Sequence, residues 1–423
     1  MSLFVNSDAK LLKIINNANI LPIKISYFCI SMPYFAINTP LILHNYLNKL
    51  LPRNIYFSPK FAIFVVFCCK KHAINLKIIT MNIMRRLIIC FMTLLAFLPT
   101  MAQQISFSSE KIWDNGMHNA FTSIEKFKGE YYITFREGET HIFDKEGNAE
   151  GKIRILHSKD GVKWEALPAI GKAGYDLRDP KFSITPDGRL MVIIGGSIYR
   201  NKELVGSQPH VMFSQDGRTF TEPQPVNVDA RYRTERDWLW RVTWHDGVGY
   251  SVSYGRTEKG QTPLYLYSTT DGINYTHIQS FELDNFPNEA TIRFLQDGRM
   301  AIMIRRENGD RECVWGASAA PYKEWEWKKI GTFLGGPDFI VLDDEHIVAG
   351  GRTHLGHDAR TSLFLGNKDG KFNQTVILPS GGDTSYPGFI VVGDELWVSY
   401  YSMHNSKNAS IHLAKIPLAV FGK

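Results

Sequence analysis

Between His118 and Ser402 one unit recurs six times: an apolar strand-length run, a two-residue turn and a second apolar run. The turns fall at Lys128-Gly129, Asp187-Gly188, Asp246-Gly247, Asp297-Gly298, Asp343-Asp344 and Gly393-Asp394. Their spacing, about 59, 59, 51, 46 and 50 residues, is near the length of one propeller blade. The runs, such as Tyr131–Phe135, Leu190–Ile194 and Leu396–Tyr400, are rich in β-branched and aromatic residues and bounded by Gly, Asp and Pro. So many short strands need their edges hidden, and radial closure leaves only short protected ones. The expected fold is all-β, a six-bladed β-propeller over residues 103–423. In each hairpin, the start of the first strand and the end of the second lie at the same end of the blade. The residues there converge on one axial face.

The N-terminal part reads differently. Residues 1–80 show no sustained amphipathic period and no turn punctuation. From Met81 come Arg85-Arg86, the apolar run Leu87–Leu98 and Thr100-Met101-Ala102, in the order of a secretory peptide. Residues 81–102 are therefore expected to be a signal peptide. Residues 1–80 are expected to come from an overextended start, the competing reading being a true extension anchored at Phe61–Cys69. Residues 1–86 hold 11 Lys and Arg against Asp8 alone, so without them the net charge of +6 becomes −4. The basicity thus gives no argument for nucleic acid. Of five cysteines only Cys313 lies beyond the signal-like segment, which excludes an internal disulfide framework. A secreted or periplasmic monomer, free of the membrane after cleavage, is the expectation.

A second repeat lies outside the hairpins. Ser158-Lys159-Asp160-Gly161-Val162-Lys163-Trp164 recurs at Ser214–Phe220 and Thr269–Tyr275, and faintly at Asn367–Phe372. Asp accepts local backbone N–H bonds, Gly takes a positive φ and the aromatic packs back on the blade. Ser-x-Asp-Gly-x-x-Trp is the Asp-box. Asp-boxes on a six-bladed propeller resemble the sialidase (neuraminidase) superfamily, over most of residues 110–418. Function has to be argued from the site, because propellers of other function carry the same box.

The inner-strand openings read His118-Asn119, Arg178-Asp179, Trp240-Arg241, Asn288-Glu289, Pro337-Asp338 and Ser385-Tyr386. The second strands close on Arg136-Glu137, Tyr254-Gly255-Arg256, Arg305-Arg306, Arg352 and Tyr400-Tyr401. So many charges facing one pit are costly to bury unless paired. "NEATIRF…RMAIMIRR" and "GGRT…TSYPGFIVV" resemble the sialidase stretches that carry a Tyr nucleophile, its Glu base and arginines gripping the substrate carboxylate. The resemblance implies Tyr386 as nucleophile, Glu289 as base, and Arg305 and Arg352 as carboxylate ligands. Where the family has its first arginine, this chain has His118-Asn119-Ala120-Phe121, and Arg136 is the expected substitute. Asp179, Glu137 and His141 compete for the general acid. Arg178, Arg241, Asn119, Asp338 and Trp240 complete the expected sugar-binding set. Each has a plainer alternative: ion pairing for Glu289 and Arg305, strand capping for Tyr386, solvation for His141, packing for the tryptophans.

No metal-ligand spacing, phosphate-cradling Gly loop or nucleophile elbow is present, so neither metal nor cofactor is expected. The expectation is an exported exo-glycosidase removing a terminal, preferably acidic, sugar from a glycan. Its rivals are another glycosidase or a lyase on the same face, or a non-catalytic glycan binder.

Overall fold

The computed structural model describes residues 106–257 and 260–423; the signal-like segment and residues 1–80 lie outside the described residues. Six antiparallel hairpins form six sheets. Their innermost strands are His118–Phe127, Asp176–Ile184, the broken pair Trp238–Leu239 and Thr243–His245, Pro287–Phe294, Gly335–Val341 and Thr384–Val392. Each sheet then runs outward in chain order, with two exceptions: in the third blade Asn227–Val228 lies outermost, parallel to Asn274–Phe281, and in the sixth Ser108–Trp113 lies outermost, paired with Ser410–Pro417. The first described strand thus closes the ring. Besides strands, the described residues hold one 3-10 turn, Leu418–Phe421.

The core is divided. Each of six apolar clusters fills one seam between neighbouring blades. In the seam between the first and sixth blades, Ile124, Ile133 and Phe135 meet Ile390, Trp397 and Leu413. Inner strands are therefore buried on both faces, and Asp176–Lys181 is buried at every position.

The heptamers act at these seams. Asp160 Oδ1 accepts from the Val162 and Lys163 amides at 2.8 and 2.9 Å, and the Gly161 amide donates to Ser158 Oγ at 2.9 Å. The same pattern recurs around Asp216 and Asp271. The fourth copy departs from it: there Asn367, not Asp369, accepts the turn amides. Gly161 has φ +68°, and a Cβ there would lie 2.0 Å from the Trp397 ring of the sixth blade. Gly217 likewise meets Tyr132 of the first blade. The Gly serves the turn and also lets it dock on the preceding blade.

The inner strands share an irregularity that their apolar alternation does not show. Every one carries one residue more than its partner at the same height. The register slips between Ala120 and Ser123, Arg178 and Lys181, Leu239 and Thr243, Pro287 and Ala290, Gly335 and Asp338, and Ser385 and Gly388. Such bulges re-aim side chains. At them Phe121, Asp179 and Tyr386 take positive φ of 69°, 48° and 53°. The bulge also ends the simple alternation that would have put Trp240 and Trp244 on one face.

The heptamer carboxylates should make the fold acid-sensitive. The Lys163 and Val162 amides hold Asp160 at about 2. Those of Thr219 and Arg218 do the same for Asp216, also at about 2. For Asp271 burial works the other way, but the Asn274 and Ile273 groups prevail, again to about 2. Folded values below the unfolded one of about 3.9 add stability that is complete above it and lost as pH falls towards 2. Urea midpoints should therefore be flat down to about pH 4.5 and then drop. An Asp160→Asn, Asp216→Asn, Asp271→Asn variant should drop less steeply; an identical slope would assign the acid sensitivity elsewhere.

Candidate active site

Two of the bulges bring together residues 97 positions apart in the chain. Tyr386 Oη donates to Glu289 Oε1 at 2.5 Å. Glu289 Oε2 accepts from Arg305 Nη1 at 2.8 Å and from the Gly336 amide at 2.9 Å. Arg305 Nη1 also lies 3.4 Å from Tyr386 Oη. Burial would raise the Glu289 carboxyl, but Arg305, Tyr386 and Arg352 outweigh it and hold it below its ordinary value. It is ionised and ready to take a proton. Burial, then the charges of Glu289 and Asp179, pushes the Tyr386 phenol well above its usual range. The phenol therefore stays neutral until its proton is taken.

Across the pit, Asp179 is 8% exposed and its Oδ1 has no hydrogen-bond partner. Burial raises its carboxyl, more than Lys181 and Arg178 lower it, so it can hold a proton to donate. A second group lies beside it. His141 Nδ1 and His118 Nε2 both meet Asp383 Oδ2, at 2.6 and 3.0 Å. Tyr401 Oη donates to Asp383 Oδ1 at 2.8 Å. Burial opposes ionisation of Asp383, yet the His118 and His141 hydrogen bonds hold it well below the usual carboxylate range. His118 is kept neutral chiefly by burial. The ring of His141 is half-exposed and packs edge-on against Phe121, whose own ring meets Tyr386 at 4.9 Å.

Several expected site residues lie elsewhere. Arg136 is 1% exposed; its Nε pairs with Asp176 at 2.7 Å and its Nη1 donates to Thr140 O. It braces the 140–142 loop and does not substitute for the missing arginine. Arg178 spends Nη1 on Asp176 and on His141 O, at 2.9 and 3.0 Å, so it positions His141. Glu137 pairs with Arg154 and Asn115, which removes it as the acid. Asn119 bonds Asn115, Met117 O and Ala409 O. Asp338 is 1% exposed between Arg241 at 3.0 Å and Arg293 at 2.7 Å, below the pit. Trp240 is buried floor packing against Tyr386. Tyr386, Glu289, Asp179, His141, Arg305 and Arg352 are brought together.

Asp383, Lys181, Glu307 and Gly336 belong to the site without having been expected there. Asp383 stands three residues before Tyr386, immediately ahead of the strand Thr384–Val392, so the residue preceding that strand carries its signal. Lys181 carries no such signal, since a single Lys within an apolar run does not show which way it faces. Its Nζ bonds Phe121 O and Thr122 O at 3.1 and 3.3 Å, beneath the Tyr386 and Trp240 rings.

No protein-family model matches the chain, and no curated protein matches its sequence. Solved structures do resemble it. A protein of unknown function from Dyadobacter fermentans is 17% identical with TM-score 0.62, over 73% of this chain and 98% of that one. Trypanosoma rangeli sialidase in complex with sialic acid is 11% identical with TM-score 0.57, over 74% of this chain. The match spans only 59% of the sialidase's length. Penicillium chrysogenum α-L-arabinanase complexed with arabinobiose is 14% identical with TM-score 0.56, over 74% and 99% of the two chains. At such identities the likeness is one of fold: a divergent, sialidase-like six-bladed propeller, of a kind that glycoside hydrolases use.

Gly336 tests how tightly the pair is held. Its φ is +62°, and an added Cβ would lie 2.6 Å from the Tyr386 ring. Gly336→Ala should cost about 1–3 kcal/mol in chemical denaturation, from backbone strain and overpacking. A variant within about 0.5 kcal/mol of the parent would mean the ring moves freely.

Proposed function

We propose that this protein is an exo-acting glycoside hydrolase that cleaves a terminal sugar from a glycan through a Tyr386 nucleophile. The observation that carries the reading is the 2.5 Å bond from Tyr386 Oη to an ionised, Arg305-held Glu289. A phenol paired with a buried carboxylate is an activated nucleophile with a general base beside it. Proteins of the same fold include a sialidase bound to sialic acid and an arabinanase bound to arabinobiose, so sugar cleavage suits the architecture.

In the first step the Tyr386 oxygen bonds the anomeric carbon as the bond to the leaving oxygen breaks. The phenolic proton passes to Glu289, and the leaving oxygen takes the proton of Asp179. In the second step water attacks the anomeric carbon, its proton goes to Asp179, and Glu289 returns a proton to the released tyrosine oxygen. Asp179 suits the acid because burial raises its carboxyl and its Oδ1 is unpartnered. His141, held by Asp383 and Arg178, lines the mouth beside it. The Asp383–His141 pair also supports a second reading, a lyase in which His141 takes a ring proton; its unsaturated product would absorb in the ultraviolet. Export by the segment 81–102 remains part of the proposal, and a glycan outside the cell its natural partner.

Residues 103–423 assayed against a panel of natural glycans, with released sugar read by mass, should release a monosaccharide without ultraviolet absorbance. Tyr386→Phe and Glu289→Gln should each lower kcat/KM by about 10³-fold or more, as expected for loss of a nucleophile or its base. Asp179→Asn should lose natural glycans far more than aryl glycosides with good leaving groups. Full activity in both Tyr386→Phe and Glu289→Gln would sink the mechanism.

A further inference from the structure

The arginine beside the candidate nucleophile is already held by carboxylates of the protein itself. Of the five arginines in the expected sugar-binding set, Arg136 and Arg241 are committed to Asp176 and Asp338, and Arg178 spends its Nη1 on Asp176 and on His141 O. Arg305 is committed too. Its Nη1 serves Glu289 and Tyr386, its Nη2 pairs with Glu307, and its Nε is buried without a partner. Phe333 covers the guanidinium face, with its ring centre 5.5 Å away. Glu307 is itself held from the far side by Arg311 at 3.4 Å. Arg352 is less engaged, its nearest carboxylate being Asp383 at 3.5 Å. A fork-to-fork carboxylate grip needs a guanidinium with a free edge, and at Arg305 Glu289 and Glu307 take both terminal nitrogens.

We infer that Glu307 makes this pit select an uncharged terminal sugar, its carboxylate occupying the Arg305 edge that an acidic sugar would need. The inference rests on reading the pit as a sugar site and replaces the acidic substrate expected from the resemblance. Neutral hydroxyls can bond Glu307, Arg305 and Arg352 together, as donors to the carboxylate and acceptors from the guanidiniums. A substrate carboxylate would meet Glu307 at the same guanidinium, and like charges that close repel.

The test is binding of free sugars, which need no turnover. The probes are D-glucuronic acid and methyl glucoside, followed by saturation-transfer NMR titration on the parent and on Glu307→Gln. The parent should show no preference for the acid. Glu307→Gln, which keeps the shape and removes the charge, should tighten glucuronate by on the order of ten-fold and leave methyl glucoside within about two-fold. A parent that prefers glucuronate, or a variant whose glucuronate affinity is unchanged, overturns the inference. The glycan-release assay fails independently: a pit that binds sugars as stated but releases none would overturn the hydrolase reading and leave this one standing.

Discussion

Six inner strands give up part of their ladder at one height, and carbonyls freed there are taken by side chains of other blades. Lys181 bonds Phe121 O and Thr122 O, Thr122 bonds Tyr386 O, Arg241 bonds Pro387 O and Thr291 bonds Pro337 O. An unpaired buried carbonyl is costly, so these bonds are what allow the bulges to exist. The bulges in turn aim Tyr386, Glu289 and Asp179 into the pit. Left-handed backbone at Phe121, Asp179 and Tyr386 costs on the order of 1–3 kcal/mol each. Two of these residues precede proline, where the backbone is restricted further. Strain of this kind persists only where the surroundings over-determine it, and here it coincides with the candidate chemistry.

The same ring explains charges that sequence reading took for ligands. Arg241 and Asp338 join the third and fifth blades beneath the floor, and Arg136 and Asp176 join the first and second. Buried pairs of this sort contribute little net stability, since desolvation offsets most of the attraction. Removing one partner is a different matter, because it strands a charge. Their effect is geometric: Arg178 fixes the backbone of His141, and Arg241 fixes the carbonyl of Pro387, next to the nucleophile. The pit is therefore braced by cations that hold its own backbone and carboxylates.

Much of the architecture was legible along the chain. Asp187-Gly188 or Asp297-Gly298 between apolar runs can make little but a hairpin turn, because the Gly must take positive φ and the flanking runs must be buried. The heptamers were legible for the same reason, being local hydrogen-bond devices complete within seven residues; the fourth copy failed where its Asp lost the capping role to Asn367. Glu289 and Tyr386 were reachable through resemblance. The roles of Arg136, Glu137 and Asn119 were not, since on a strand end a charge facing the pit and a charge facing the next loop occupy equivalent positions in a linear pattern.

What the sequence determined by itself was the blade count, the turn chemistry and the face on which polar residues would gather. Each follows from short-range rules of alternation, turn conformation and edge protection. What only the tertiary structure decided was which of those residues are free. Arg305 and Arg352 look alike in the chain; Arg305 is bound by Glu289 and Glu307, while Arg352 stands 3.5 Å from its nearest carboxylate. Asp383 and His141 are 242 positions apart and meet at 2.6 Å. Partner choice of this kind depends on closing the ring, which brings distant strands to one axis and sets, pair by pair, which charges are spent and which remain for a ligand.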